Sequence, residues 1–402
     1  MIGPRKGEIG YFERSYGRII VPAQNHNSRF AVCECEAERG HIRAADGTSR
    51  IFSGPPPRQW HDRLELTLQC EESELIKRSL EAVIKPRGDK VRLHYSSVTS
   101  TRVTVGNALY SSIRLSSAWA ITGWLLAEQS GMAFPLGWSG RGNGIDWIMN
   151  NVAGELQKFS SMLREARMIE PENIPVVLAP SAAAVLLHEV IGHSAEAPFD
   201  SIARYSSLTG CRIASEVISV ADDPLAPSGP VYYEYDDDNV RSIGPTSIVE
   251  QGVMVAQLHS HGSAEFTGGL STANGRAATA WDLPIPRVSN LICEPGPFQE
   301  QELIENAGRG LYIHRLANGI NNGATIEADI ILAEQIKSGK RMGKFITGGR
   351  MCEEIGVLLR AAEVADNPSF NSNAICGKAG QLLFNVGACA PSIRLTAIGI
   401  IV

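Results

Sequence analysis

The residues best suited to chemistry lie in one short run, Leu186-Leu187-His188-Glu189-Val190-Ile191-Gly192-His193-Ser194-Ala195-Glu196. Two imidazoles flank a carboxylate inside an apolar stretch. Neutral imidazole nitrogens suit Zn²⁺, and a neighbouring glutamate can take a proton from water that such an ion activates. A second reading stands beside it on residue types alone: two buried, hydrogen-bonded histidines in a chain that has nine. The spacing bears on both. The common zinc-protease pattern sets its histidines at i and i+4, on one helical face; here they stand at i and i+5. On a regular α-helix they would point about 140° apart. A shared ion therefore requires a helix that widens by a residue, as a π-bulge, or that ends between them. Gly192, just before His193, eases such a distortion. The prediction is an irregular helix near residues 191–193, and a straight helix through His193 excludes the shared ion.

The elements around this run can be read from hydrophobic pattern. Residues 174–178 form an apolar strand, and Ser181 is placed to cap a helix through 182–187. Beyond residue 217 the pattern is β-rich, with strands expected at 217–220, 231–235, 253–258, 325–332, 344–347 and 382–386. A hairpin is expected over 330–345, turning at Lys337-Ser338-Gly339-Lys340. One remaining helix is expected at 355–365. Before the run, Asp146 caps an amphipathic helix carrying Val152, Leu156, Phe159 and Leu163, and Pro171 and Pro175 mark a boundary. Further upstream, Ser73 caps a helix over 73–84, half-buried strands alternate at 91–95 and 103–105, and a third strand pair is expected around 113–126. The first 70 residues read as short strands and loops, and 137–144 (GWSGRGNG) as a glycine-rich loop without a phosphate-binding context.

Composition narrows the function classes. A chain of 402 residues favours two domains, and 44% hydrophobic against 20% charged residues excludes wholesale disorder. A net charge of −6 gives no footprint for nucleic acid or anionic lipid, and 6% aromatic residues leave few base-stacking platforms. No apolar run reaches the length of a membrane span. Residues 1–16 lack the apolar core of a secretory signal. The eight cysteines are scattered, a pattern of reducing compartments, so a cytoplasmic location is expected. Cys33-x-Cys35 has no second pair for a zinc site, and Asp236-Asp237-Asp238 reads as an acidic turn without calcium-loop spacing.

Taken together, several ordered motifs resemble the TldD/PmbA metalloprotease family, on the TldD side. HExxxH at 188–193 is the first. Residues 175–189 (PVVLAPSAAAVLLHE) resemble the family's strand-and-helix lead-in, and 210–224 (GCRIASEVISVADDP) its strand and Asp-Asp turn. Residues 235–239 with 248–252, Asn274-Gly275-Arg276, and 373–381 (NAICGKAGQ) resemble three further elements. The resemblance covers residues 174–402 and weakens before them. It implies an α+β protein: an N-terminal domain (1–170) with a small sheet and helices, and a larger antiparallel β-rich domain (171–402) around a metal-bearing helix.

The resemblance also implies a third metal ligand, the cysteine of the CGKxGQ element, which is Cys376; Cys389 is its rival. With His188 and His193 it would complete a zinc site that keeps a position open, and Glu189 would be the general base. Cys70, Cys211, Cys293 and Cys352 read as small core residues. Glu196 either steadies a metal ligand or is exposed. His259 and His261 are candidates for substrate or oxyanion binding, or are surface loop residues, and Arg276 is a candidate for a substrate carboxylate. The implied partners are an unfolded or modified peptide and a second subunit, as a homodimer or with a metal-free paralogue. Two other functions fit the same motifs: a metal-dependent enzyme on a small amide or amino-acid conjugate, and a non-catalytic partner subunit. The departures lie at Ala197-Pro198-Phe199-Asp200, at Gly319-Ile320-Asn321-Asn322-Gly323, where the family is glycine-rich, and in a shorter N-terminal half. They bear on the substrate more than on the metal set.

Overall fold

Among the described residues, long antiparallel pairing organises the N-terminal part of the chain. The computed structural model describes residues 8–22, 30–44, 49–53, 90–105, 110–126, 133–141, 148–198, 208–238, 240–278, 282–371, 375–383 and 386–402. The expected helix over 73–84 and the Asp146 cap lie outside them. Contacts divide the chain into two units: Met1–Lys158 with Ala277–Leu283 and Ile375–Asn385, and Phe159–Arg276 with Pro284–Ala374 and Val386–Val402.

The first unit carries a six-stranded antiparallel sheet in the order Ser49–Ser53, Phe30–Ala44, Glu8–Pro22, Lys90–Val105, Tyr110–Leu126, Ala133–Arg141. Two expectations are corrected here. Glu8–Pro22 and Phe30–Ala44 are strands of 15 residues, where short strands and loops were expected. Polar residues occupy both alternating sets in these stretches, so period-two patterning is absent. Residues 137–141 are strand and not glycine-rich loop: Gly140 pairs with Trp119 and Gly137 with Thr122.

The second unit holds the HExxxH run. Its larger sheet closes on itself. Gly310–Asn321, Glu172–Leu178, Ile393–Ile401, Arg350–Glu354 and Thr325–Lys337 are neighbours in that order, and the last pairs back with the first. The hairpin is as expected, with Lys337 paired to Lys340 across Ser338 and Gly339. Both turn residues have positive φ, 50° and 69°, which matches the twist of the strands they join. A second sheet runs Val253–Met254, Thr246–Glu250, Val220–Asp222, Asn290–Cys293, Gly387–Ala390, Ser369–Asn371. The helix Pro180–Leu187 packs on Gly310–Asn321 of the closed sheet and on Gly387–Ala390 and Ser369–Asn371 of the other. Burial on all sides explains why this segment, with Ala182, Ala183, Ala184, Leu186 and Leu187 buried, is apolar throughout. The fold class is α+β, as expected.

Other local readings change. Residues 355–360 form a 3₁₀ helix, and Ala361–Val364 is a strand paired with Ile393–Ile401, where one helix was expected. The expected strand at 231–235 is irregular, with a single bridge from Tyr235 to Arg241. Two helices arise where none was expected, His261–Thr267 and Glu300–Ala307. Both are short and locally capped: Ser260 accepts from the Ser263 N–H, and Gln299 and Glu302 form a capping box. Cys211 is exposed, not a core residue. Among the described residues no helix is long and apolar enough to cross a membrane.

Candidate metal centre

Pro180 opens the site helix at its first turn, where a fixed φ is pre-set for helix. Ser181 is not the cap. Its hydroxyl donates to the His314 carbonyl at 2.8 Å, tying the helix start to the neighbouring strand. The α-helix then gives way to a π-helical turn, His188–Gly192, before a last turn His193–Ala195. The His193 N–H bonds to the His188 carbonyl, five residues back. This is the widening that the i, i+5 spacing demands. It brings the two rings together, with centroids 4.8 Å apart and planes at 69°. Gly192 fits the turn against the connection between the strands Ile285–Pro286 and Asn290–Cys293, since a Cβ there would stand 3.1 Å from Val288 Cγ2 and 3.5 Å from His188 Nδ1.

Glu189 is 8% exposed and held from the strand Gly310–Asn321. Asn321 Nδ2 donates to the Glu189 carbonyl at 2.7 Å, in the turn where the helical ladder is widened. Gly319, two residues earlier on the same face of the strand, leaves room for the Glu189 side chain. A Cβ built at Gly319 would lie 2.6 Å from Glu189 Cγ and Oε1. Sequence reasoning noted this glycine-rich segment only as a departure and missed its role, because nothing in spacing links residue 319 to residue 189. Replacing Asn321 by alanine is expected to cost about 1 kcal/mol of stability. Chemical denaturation checks this, and an unchanged midpoint would mean the side-chain amide contributes nothing to the turn.

Glu196 is buried and serves His193. Its Oε2 lies 3.0 Å from His193 Nδ1, while Oε1 accepts the Val288 N–H at 3.0 Å and faces Arg287 Nε at 3.6 Å. A carboxylate on Nδ1 fixes that nitrogen as the protonated one and leaves Nε2 as the lone-pair donor. Nε2 in turn lies 3.8 Å from Glu189 Oε2. Of the three candidate ligands, His188 and His193 belong to the second unit and Cys376 to the first. Cys376 is 5% exposed and opens the short strand Cys376–Lys378. Cys389 sits in the strand Gly387–Ala390, and burial pushes its thiol up to about 11. Two imidazoles and a thiol are a zinc-type donor set, and donor atoms around a tetrahedral zinc stand about 3.4–3.8 Å apart. By donor chemistry the residues fit such an ion.

The remaining candidates are placed differently. His261 is exposed at the start of the helix His261–Thr267, its backbone N–H on Asp238 and its ring 3.4 Å from Glu265. His259 is half-buried, with Nδ1 3.2 Å from Ser263 Oγ, and burial holds its ring below the ordinary histidine range. Arg276 is buried and donates to the Val288 carbonyl at 2.6 Å. Asn274 and Ser289, on either side of that contact, both donate to Asp222. Burial pushes the Asp222 carboxyl up to about 6 in spite of these bonds. The folded protein thus holds this proton more tightly than the unfolded chain, where the carboxyl titrates near 3.9. Stability from this group is full below about pH 4 and falls as pH rises toward 6, by on the order of 2–3 kcal/mol. Denaturation across this range is expected to show the fall in wild type and not in Asp222→Asn. Equal slopes would contradict it.

A family model described as the PmbA/TldA metallopeptidase C-terminal domain matches residues 171–401. A metalloprotease of Methanocaldococcus jannaschii is 29% identical over 237 residues, covering 58% of this chain and 51% of the relative. A protein of Saccharolobus solfataricus named zinc metalloprotease TldD homolog is 26% identical, covering 61% of this chain and 56% of the relative. The chain spans about half the length of the curated relatives it matches. In fold, TldE from Thermococcus kodakarensis superposes with a TM-score of 0.69 at 13% identity, covering 98% of this chain and 96% of that one. With the family model matched over more than half of its length and the HExxxH turn built as a widened helix, the chain belongs to the TldD/PmbA family of metallopeptidases.

Proposed function

We propose that this protein is a zinc-dependent peptidase that hydrolyses peptide bonds in unfolded or modified peptides. The observation that carries the reading is the π-helical turn that brings the His188 and His193 rings together, centroids 4.8 Å apart, beside the Glu189 carboxylate. His188, His193 and Cys376 would hold the ion, which when bound supplies Lewis-acid activation of water and of the scissile carbonyl. Glu189 takes a proton from the attacking water and delivers it to the leaving amine nitrogen. The water oxygen adds to the carbonyl carbon, the C–N bond breaks, and carboxylate and amine are released. Glu196 keeps His193 in the tautomer that presents Nε2. Burial of Glu189 sets its carboxylate apart from bulk water, where proton transfer to a substrate group is better controlled. The proposed assembly is a homodimer or a pair with a metal-free paralogue.

The test sets an unstructured peptide against small N-acyl amino-acid amides. Peptide cleavage that a chelator abolishes and added Zn²⁺ restores is the expected result. Metal-dependent turnover of the small amides alone would move the substrate to a small molecule, and no turnover with no bound metal would favour a non-catalytic subunit.

A further inference from the structure

The segment Asn274-Gly275-Arg276, whose last two residues form a strand paired with Ile285–Pro286, carries a guanidinium that stands as a candidate for a substrate carboxylate. In the structure that group faces inward. Arg276 is 9% exposed, its guanidinium donates to the Val288 carbonyl at 2.6 Å, and it lies 6.0 Å from the centroid of the Tyr233 ring. The Val288 N–H, on the other side of the same residue, donates to Glu196 Oε1 at 3.0 Å. The preceding residue is pinned as well. The Arg287 N–H bonds to the Asn274 carbonyl at 3.0 Å, and Asn274 Nδ2 donates back to the Arg287 carbonyl at 3.2 Å. Arg287, 0% exposed, sets its Nε 3.6 Å from Glu196 Oε1. Glu196 Oε2 then reaches His193 Nδ1 at 3.0 Å.

We infer that Arg276 is a positioning residue for His193. It fixes the carbonyl of Val288, whose N–H fixes Glu196, which fixes the imidazole. The inference rests on the reading of His193 as a metal ligand. The segment supplies two anchors to residues 287–288, one from the Asn274 backbone and amide and one from the Arg276 guanidinium. The hydrogen-bonded route from these anchors to His193 runs through Glu196. Groups that orient a ligating histidine commonly change metal affinity by about 10–100-fold when removed. A residue that only binds a substrate carboxylate leaves metal affinity unchanged.

The experiment uses the full chain, with apparent zinc affinity measured by competition with a chromogenic chelator, and the visible spectrum of the cobalt-substituted protein as a report on ligand geometry. Arg276→Met is expected to weaken zinc binding about 10–100-fold and to alter the cobalt bands. Arg276→Lys, which keeps a cationic donor toward Val288, is expected to recover part of both. If circular dichroism shows that the methionine variant does not fold, the lysine variant carries the comparison with a smaller expected weakening. Unchanged affinity and spectrum, with only a raised KM for peptide, overturns the inference and returns Arg276 to substrate binding. A wild-type protein that binds no zinc overturns the metal reading itself and the inference with it.

Discussion

Glu189→Gln is expected to lower kcat by about 10³-fold or more while the bound metal is retained. The substitution is isosteric, so the Asn321 bond to the backbone carbonyl and the space beside Gly319 survive it. What it removes is the capacity to accept a proton. A general base contributes about 10²–10⁴-fold, and a loss of 10³ corresponds to about 4 kcal/mol of barrier. The split between kcat and KM is informative. A proton-transfer role is exercised in the transition state, so kcat falls and KM stays close to its wild-type value. A variant that loses metal together with activity would point instead to Glu189 as part of the metal's support. Steady-state kinetics combined with metal content separates the two outcomes.

The second large effect is expected at Gly319. Alanine there would place a Cβ 2.6 Å from Glu189 Cγ and Oε1, where carbon contacts ordinarily begin near 3.5 Å. The strand has little freedom to retreat. It pairs with Thr325–Lys337, and Asn321 pins it to the helix two residues on. The carboxylate must therefore rotate off its position, and a displacement of about 1 Å in a catalytic group can cost about 10²-fold in rate. Overpacking itself is expected to cost about 1–3 kcal/mol of stability. The predicted pattern is a folded protein with normal zinc content and kcat reduced about 10²-fold, with Gly319→Val worse than alanine. Wild-type kinetics in Gly319→Ala would mean that the space beside Glu189 is unimportant for turnover.

The widened helical turn was legible in the chain because two histidines that must share an ion cannot do so at i and i+5 on a regular helix. Spacing and Gly192 were sufficient there. Cys376 was not legible in that sense: it lies far along the chain from the histidines and came only from resemblance. Gly319 and Asn321 were invisible for a different reason. Their contribution is a missing side chain and an amide, which leave no periodic trace. The strand Glu172–Leu178 and the Ser338-Gly339 turn were readable, since an apolar run and positive φ have local signatures. The long strands of the first unit were not, because polar residues alternate on neither face alone. Arg276 shows the limit of residue types. A lone arginine in a motif invites a carboxylate partner, yet its partner here is a backbone carbonyl.

The proposal that His188, His193 and Cys376 together hold one metal ion is checked by elemental mass spectrometry of purified wild type, His193→Ala and Cys376→Ala, each confirmed as folded. About one zinc per chain is expected in wild type, with loss of most of it in both variants. Full zinc content in folded Cys376→Ala would contradict it.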